Sequence, residues 1–155
     1  MFSFDSLLSK ESVFGYWLTP GSIVLIENCD DYICGKIETI SLFTIFVDQG
    51  QDPNLILDDQ NKDKALRSRA LIGTNILSGF LTKDINQRDF KGGRIYDPRR
   101  GRDFKSSLYL KDDGTLKVEG CLAFICDNEE WLPLEVIIND DGTKEATLKN
   151  PIEDK

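Results

Sequence analysis

Short runs of β-branched and aromatic residues, separated by turn residues, dominate the chain from residue 14 onward. Glycine, proline and aspartate cluster between the runs, as at Pro20-Gly21 and Asp141-Gly142. Short strands with regular turn signals between them are typical of an all-β sandwich or barrel. The strand-like runs cover residues 23–26, 33–40, 43–47, 74–81, 104–110, 116–126 and 134–138.

The clearest β-hairpin is predicted around the turn Asp113-Gly114. Apolar and polar residues alternate over 104–110, and neighbouring side chains of a strand point to opposite faces, so one face of this strand is apolar. A second hairpin is predicted around the turn at 139–142. The more polar segment 143–149 that follows it is predicted to be an edge strand.

Three segments depart from the strand pattern. Residues 3–10 predict a short helix, with Ser3 as its N-cap. The polar segment 58–70 is interpreted as a loop or a short helix. Residues 88–105 hold seven basic and three acidic residues, a net charge of 7 − 3 = +4, and are interpreted as a basic loop.

Composition excludes several classes of function. The 155 residues suit one domain, and the net charge of −8 argues against nucleic acid as a partner. Without histidine, Ser-His-Asp and Cys-His catalysis are excluded, and no pair among the 27 acidic residues stands out. No apolar run reaches the roughly 18 residues that span a membrane. We therefore expect a non-catalytic protein with no cofactor and no membrane span.

The four cysteines form two pairs, each with four residues between its members. This spacing leaves a zinc site open, although the apolar, strand-like surroundings are unlike zinc knuckles. Cys29 and Cys34 flank a short polar turn and are predicted to form a disulfide. Cys121 and Cys126 lie on one apolar run, about 17 Å apart if it is extended, and can bridge only if the strand bends between them. We expect them to be buried or free.

The spacing Asp59-x-Asn61-x-Asp63 matches the start of a calcium loop. The loop needs glycine at its sixth position and glutamate at its twelfth, where this chain has Lys64 and Ala70. We therefore predict no metal at this segment.

Three motifs then occur in a fixed order. They are Gly15-x-Trp17, Asn61-x-Asp63-x-x-Leu66-Arg67-x-Arg69 and Gly92-Gly93-x-Ile95-Tyr96-Asp97-Pro98-x-x-Gly101. Their order resembles that of a bacterial domain-of-unknown-function family of small exported proteins with a lipocalin-like barrel. The resemblance extends from residue 14 to residue 131.

The resemblance implies an antiparallel, up-and-down lipocalin-like barrel of about eight strands with a short N-terminal helix. It also implies a secreted or periplasmic location. We interpret residues 1–155 as one domain: an N-terminal helical segment 1–13, a barrel 14–133 and an additional C-terminal hairpin or tail 134–155.

A barrel of this size holds one small ligand or fills with its own side chains. The resemblance favours a small apolar or amphipathic, fatty-acid-like ligand in the barrel. The alternative is a packed interior and a non-catalytic protein-interaction module, and the sequence leaves the oligomeric state open between monomer and dimer. Alternation predicts these inward, ligand-binding positions: Val24, Ile26, Ile37, Phe104, Leu108, Leu110, Leu116, Val118, Leu122 and Phe124.

Residues 96–101 predict a turn in which proline fixes φ and glycine supplies a positive φ. The arginines in and around this turn are candidate contacts for an anionic head group, namely Arg94, Arg99, Arg100 and Arg102. Trp17 is expected to close one end of the barrel, with Arg67 or Arg69 as candidates to stack over it. The residues expected to be structural are Gly15, Trp17, Arg67, Arg69, Gly92, Gly93, Tyr96, Asp97, Pro98 and Gly101.

Overall fold

A computed structural model describes residues 12–40, 52–84 and 88–149. The predicted helix over 3–10 and the predicted strand over 43–47 lie outside these residues. The described residues contain no helix long and apolar enough to cross a membrane. They contain nine strands: β1 (Gly15–Leu18), β2 (Ser22–Cys29), β3 (Tyr32–Ile40), β4 (Leu77–Ser78), β5 (Asp89–Asp97), β6 (Arg102–Leu110), β7 (Leu116–Leu122), β8 (Ile125–Ile138) and β9 (Lys144–Leu148).

Short 3-10 turns supplement the strands at Pro53–Leu55, Lys64–Leu66 and Thr82–Asp84. All strand pairings are antiparallel, and neighbouring strands follow the order β3-β2-β1-β8-β7-β6-β5-β4. This order is that of an up-and-down sheet whose first and last strands are available to meet.

The sheet curls until β3 meets residues 74–82, a contact line that we call the seam. There the backbone N–H of Ile33 donates to the carbonyl of Phe80 at 2.9 Å, and that of Ile76 donates to Gly35 at 2.7 Å. The seam nearly closes an eight-stranded barrel. The predicted all-β fold, an antiparallel up-and-down barrel of about eight strands, is therefore confirmed.

Strand β8 is the longest strand and joins several parts of the sheet. It pairs with β7 up to Trp131, with β1 at residues 132–134 and with β9 from Leu134 onward. The boundary expected at residue 133 therefore falls inside one continuous strand. The edge strand expected over 143–149 is observed as β9, which pairs with β8 outside the barrel order.

The prediction of a basic loop over 88–105 is wrong, because most of this segment belongs to the antiparallel strands β5 and β6. Gly92, with φ of +85°, lies at a register shift in β5, and a Cβ on Gly93 would be 2.5 Å from the Phe80 ring. The two glycines thus form a bulge and a close contact rather than a chain break. Only residues 98–101 form a turn.

Candidate functional site

The barrel encloses a cavity of about 430 Å³. This volume lies within the range of small-molecule sites, which are mostly apolar pockets with a few polar groups. The barrel interior is thus packed in one part and open in another. The apolar side chains of its wall include Ile37, Ile76, Ile95, Phe104, Val118 and Trp131.

Three turns surround the cavity at one end of the barrel, and we call them the mouth. They are the β1–β2 turn at 19–21, the β5–β6 turn at 98–101 and the β7–β8 turn at 123–124. Residues of the first two turns line the cavity, as do Leu122 and Ile125, which flank the third. Turns of alternate hairpins lie at the same end of an up-and-down barrel, which explains why distant parts of the sequence meet here.

Four of the ten predicted ligand-binding positions line the cavity: Ile37, Phe104, Val118 and Leu122. Five others are buried in the core without lining it: Val24, Ile26, Leu108, Leu110 and Leu116. Alternation identifies the inward face of a strand but not the height along the barrel at which a cavity opens.

Phe124 is the tenth predicted position, and it points outward with 91% of its surface exposed. The run 116–126 is not one strand. It turns at Ala123, which has φ of 55°, so that Leu122 pairs with Ile125. We call residues 122–125 the tip. The inward placement predicted for Phe124 is wrong because the chain reverses just before it.

The cationic side chains of the mouth are Arg99, Arg100 and Arg102, which all line the cavity. Arg99 and Arg100 form ion pairs with Asp97 at 3.5 and 3.3 Å. Arg102 has no carboxylate within ion-pairing distance among the described residues and lies over the Phe104 ring at 5.8 Å. The fourth predicted arginine, Arg94, does not line the cavity and pairs with Asp103 at 3.8 Å.

Carboxylates balance these cations. Asp97, Asp127 and Glu129 also line the cavity, so three acidic residues accompany the three arginines. Glu129 is engaged on both sides, by Arg99 at 3.6 Å and by the indole N–H of Trp131 at 2.8 Å. The mouth is therefore polar and of mixed charge, above an apolar cavity.

A buried polar cluster lies in the barrel wall beside the cavity. The Asp58 carboxylate is only 1% exposed and accepts hydrogen bonds from the Tyr96 hydroxyl at 2.5 Å, Asn61 Nδ2 at 2.8 Å and Arg69 Nε at 3.0 Å. We call these four residues the clamp. Burial, and then the hydrogen bond to Asp58, raise the pKa of Tyr96 well above its ordinary value.

Local backbone pairing assembles the clamp. The backbone N–H of Asp58 donates to the Arg69 carbonyl at 2.9 Å, and Leu57 and Ala70 form a β-bridge, so the two chain segments run side by side. Between them, Asp63 Oδ1 accepts from the Ala65 N–H at the start of a 3-10 turn. The loop between the segments is thus closed by its own side chains.

The prediction that Arg67 or Arg69 stacks over Trp17 is wrong. Arg67 Nε donates to the Asn61 carbonyl at 2.7 Å, and Arg69 lies over the Tyr96 ring at 5.6 Å rather than over Trp17. Trp17 is buried and donates its indole N–H to the Val13 carbonyl at 2.8 Å. It does not line the cavity.

The loop that contains Asp58 and Asn61 of the clamp also contacts the turn that carries Arg99 and Arg100. The Lys62 N–H donates to the Gly101 carbonyl at 2.8 Å. Gly101 has φ of +71°, and a Cβ there would lie 1.7 Å from the Gln60 carbonyl oxygen, so only glycine fits. Sequence reasoning missed Asp58; the available signal was its place directly after the apolar run 55–57, as the first of two adjacent aspartates.

Both cysteine pairs form disulfides in the structure. Cys29 and Cys34 close the β2–β3 hairpin, and Cys121 and Cys126 close the β7–β8 hairpin. The expectation that Cys121 and Cys126 stay free is wrong, because the turn at Ala123 brings them opposite each other. A zinc site formed by all four thiolates is excluded, since each thiol is bonded.

Comparison with known proteins first defines the class. The structure is similar to that of HP1028 from the human pathogen Helicobacter pylori, described as belonging to the lipocalin family. The TM-score is 0.63 at 17% identity, covering 79% of this chain and 83% of that chain. At this identity the likeness shows a lipocalin-like fold.

The family is shown by the sequence. Residues 15–132 match the family described as uncharacterized protein conserved in bacteria, DUF2147, and the chain belongs to that family. Among curated proteins, none matches significantly.

Proposed function

We propose that this protein binds a small apolar or amphipathic molecule, fatty-acid-like in shape, in the barrel cavity. The observation that carries the proposal is the apolar cavity of about 430 Å³ that opens at a polar, arginine-bearing mouth. An alkyl chain inside would remove apolar surface from water, which contributes about 0.8 kcal/mol for each buried methylene.

The head group of the ligand would lie at the mouth. Arg102 is the cation best placed to receive a carboxylate, because Arg99 and Arg100 already pair with Asp97. Charge-assisted hydrogen bonds to a carboxylate are stronger than neutral ones and fix the orientation of the ligand.

We also propose a periplasmic or secreted location. Its support is that all four cysteines are paired, as is usual in oxidising compartments and rare in the cytosol. Fractionation of the source bacterium tests it. The protein is expected outside the cytoplasm, and a cytoplasmic pool with reduced thiols would contradict the proposal.

Titration with a fluorescent fatty acid tests ligand binding. Saturable uptake of one molecule per chain is expected, and Val118→Phe is expected to abolish it because Val118 lines the cavity and the larger ring occupies its space.

The matched control is Leu108→Val, a change at a buried residue that does not line the cavity. It should lower stability while leaving uptake intact. Absence of uptake by the unmodified protein, or equal uptake by Val118→Phe, would refute the proposed function.

A further inference from the structure

The tip of the β7–β8 hairpin is apolar and projects from the barrel. Leu122, Phe124 and Ile125 are 49%, 91% and 67% exposed. Single exposed apolar residues are ordinary, but adjacent large ones mark a surface that meets an apolar partner. The tip thus needs an explanation that the cavity alone does not provide.

The tip is held in one conformation before any partner arrives. The Cys121–Cys126 disulfide closes its base, and Leu122 pairs directly with Ile125. A group that is fixed in advance loses less conformational entropy on binding. The rigidity of the tip therefore favours a role in binding a partner.

The other disulfide-closed hairpin shows that this apolar character is not required by the disulfide. Between Cys29 and Cys34, the β2–β3 turn itself is Asp30-Asp31; of the two residues after it, Tyr32 is half-exposed and Ile33 is buried. The single hydroxyl proton of Thr82 is shared between Asn28 Oδ1, at 3.0 Å from Oγ1, and the Asp30 carbonyl, at 2.9 Å, and these contacts tie that turn to residue 82.

The tip continues the cavity outward. Leu122 and Ile125 both line the cavity and stand exposed beside Phe124, so apolar surface runs from the cavity to the end of the hairpin. A ligand that is poorly soluble in water gains from this apolar path only when the tip contacts a second apolar environment outside the protein.

The charges around the mouth indicate what kind of surface the tip contacts. Three arginines and three carboxylates line the cavity, and the whole chain has a net charge of −8. An anionic lipid surface would repel the molecule, whereas a zwitterionic head-group layer carries both charges in equal number, as the mouth does. Balanced charge therefore favours a zwitterionic phospholipid surface.

We propose that the tip inserts into a zwitterionic phospholipid surface and seats the mouth against it, so that an apolar ligand passes between bilayer and cavity without crossing water. This proposal rests on the proposed ligand binding and adds the source of the ligand. Phe124 is the main anchor, because its ring is the most exposed and enters the lipid first.

Vesicle flotation tests the proposal with the full chain and vesicles of phosphatidylcholine and phosphatidylethanolamine. The protein should float with the vesicles, independently of salt, and less well when phosphatidylglycerol is added. Phe124→Ser should weaken vesicle binding about tenfold, because it removes a buried aromatic ring from the lipid.

The matched control is Ile138→Ser, since Ile138 is 64% exposed on β8 but does not line the cavity. It should float like the unmodified protein. Failure of the unmodified protein to float, equal losses in the two variants, or binding only to anionic vesicles would overturn the proposal. A dimer that Phe124→Ser abolishes, without vesicle binding, would assign the tip to a second copy instead.

Fatty-acid uptake without vesicles separates this proposal from the proposed function. Phe124 does not line the cavity, so Phe124→Ser should take up the fatty acid normally. Uptake without flotation would overturn only the membrane contact. Flotation without uptake would refute ligand binding, and with it the proposed transfer from the bilayer.

Discussion

The clamp and the mouth meet at Tyr96, which belongs to the clamp and also lines the cavity, yet the two regions are built in opposite ways. In the clamp, one buried carboxylate receives three hydrogen bonds from side chains of two distant segments. In the mouth, the three arginines are exposed, the carboxylates range from the mostly buried Asp97 to the exposed Asp127, and Arg102 has no acidic partner among the described residues. The first arrangement resists change, and the second is open to a ligand.

Two of the three motifs that carried the resemblance map mainly onto the clamp and the turn beside it. Asn61, Arg69 and Tyr96 belong to the clamp, and Gly101 shapes the turn, whereas Arg99 and Arg100 occupy the unspecified positions of the motif. The difference indicates that the recognisable residues build the scaffold. Arg102, the residue proposed to receive the ligand head group, lies directly after the motif.

The largest expected effect is on the clamp. Asp58→Ala should lower the free energy of unfolding by about 3 kcal/mol, because it leaves Tyr96, Asn61 and Arg69 without their shared acceptor. Urea unfolding measures the change. Asp127→Ala, at the mouth, serves as the control and should change stability by less than about 0.5 kcal/mol. Equal losses in the two variants would remove the distinction between clamp and mouth.

A smaller effect is expected from the Tyr96 hydroxyl. Tyr96→Phe should cost about 1 kcal/mol at neutral pH, the usual contribution of a buried hydrogen bond. Because the pKa of Tyr96 is raised, the folded state holds this proton more tightly than the unfolded state does. The stabilisation is complete below the ordinary pKa of 10.0 and is lost as pH rises above it.

Unfolding measured between neutral and alkaline pH checks this sign. The unmodified protein should lose stability above pH 10.0, and Tyr96→Phe should lose less. Tyr32→Phe, at a half-exposed ring, is the control and should keep the alkaline dependence. A steeper alkaline loss in Tyr96→Phe would contradict the role assigned to the hydroxyl.

The smallest effect on stability is expected at the mouth. Arg102→Gln should leave the free energy of unfolding within about 0.5 kcal/mol, because the side chain is exposed. Its affinity for a fatty acid should fall about tenfold, while affinity for the matching fatty alcohol stays constant. Parallel titrations with the two ligands test this. An equal loss for both would show that Arg102 contacts no carboxylate.

Much of the fold follows from local patterns. The β6–β7 hairpin has clear alternation and an Asp-Gly turn, and both features are observed. Strand β5 was not predictable in the same way, because the bulge at Gly92 and the close packing of Gly93 on Phe80 depend on a distant segment.

Fewer features of the site than of the fold could be predicted from the sequence. The chain reverses direction at Ala123, and alanine is not a typical turn residue. The alternation of inward and outward side chains therefore predicted the wrong side for Phe124. Asp58 is one of 27 acidic residues, and only the folding of its loop against β5 shows that it is buried. Both features depend on tertiary contacts.

The seam has a consequence for motion. Strand β4 contributes only two residues, so β3 and the segment 74–82 are held by separate hydrogen bonds rather than by a continuous ladder. Local opening should therefore cost least along this line, and the amides of Ile33 and Ile76 should exchange with solvent sooner than those within β6 and β7. Such fluctuations would separate β3 from residues 74–82 and widen the barrel at its side, without any movement of the mouth.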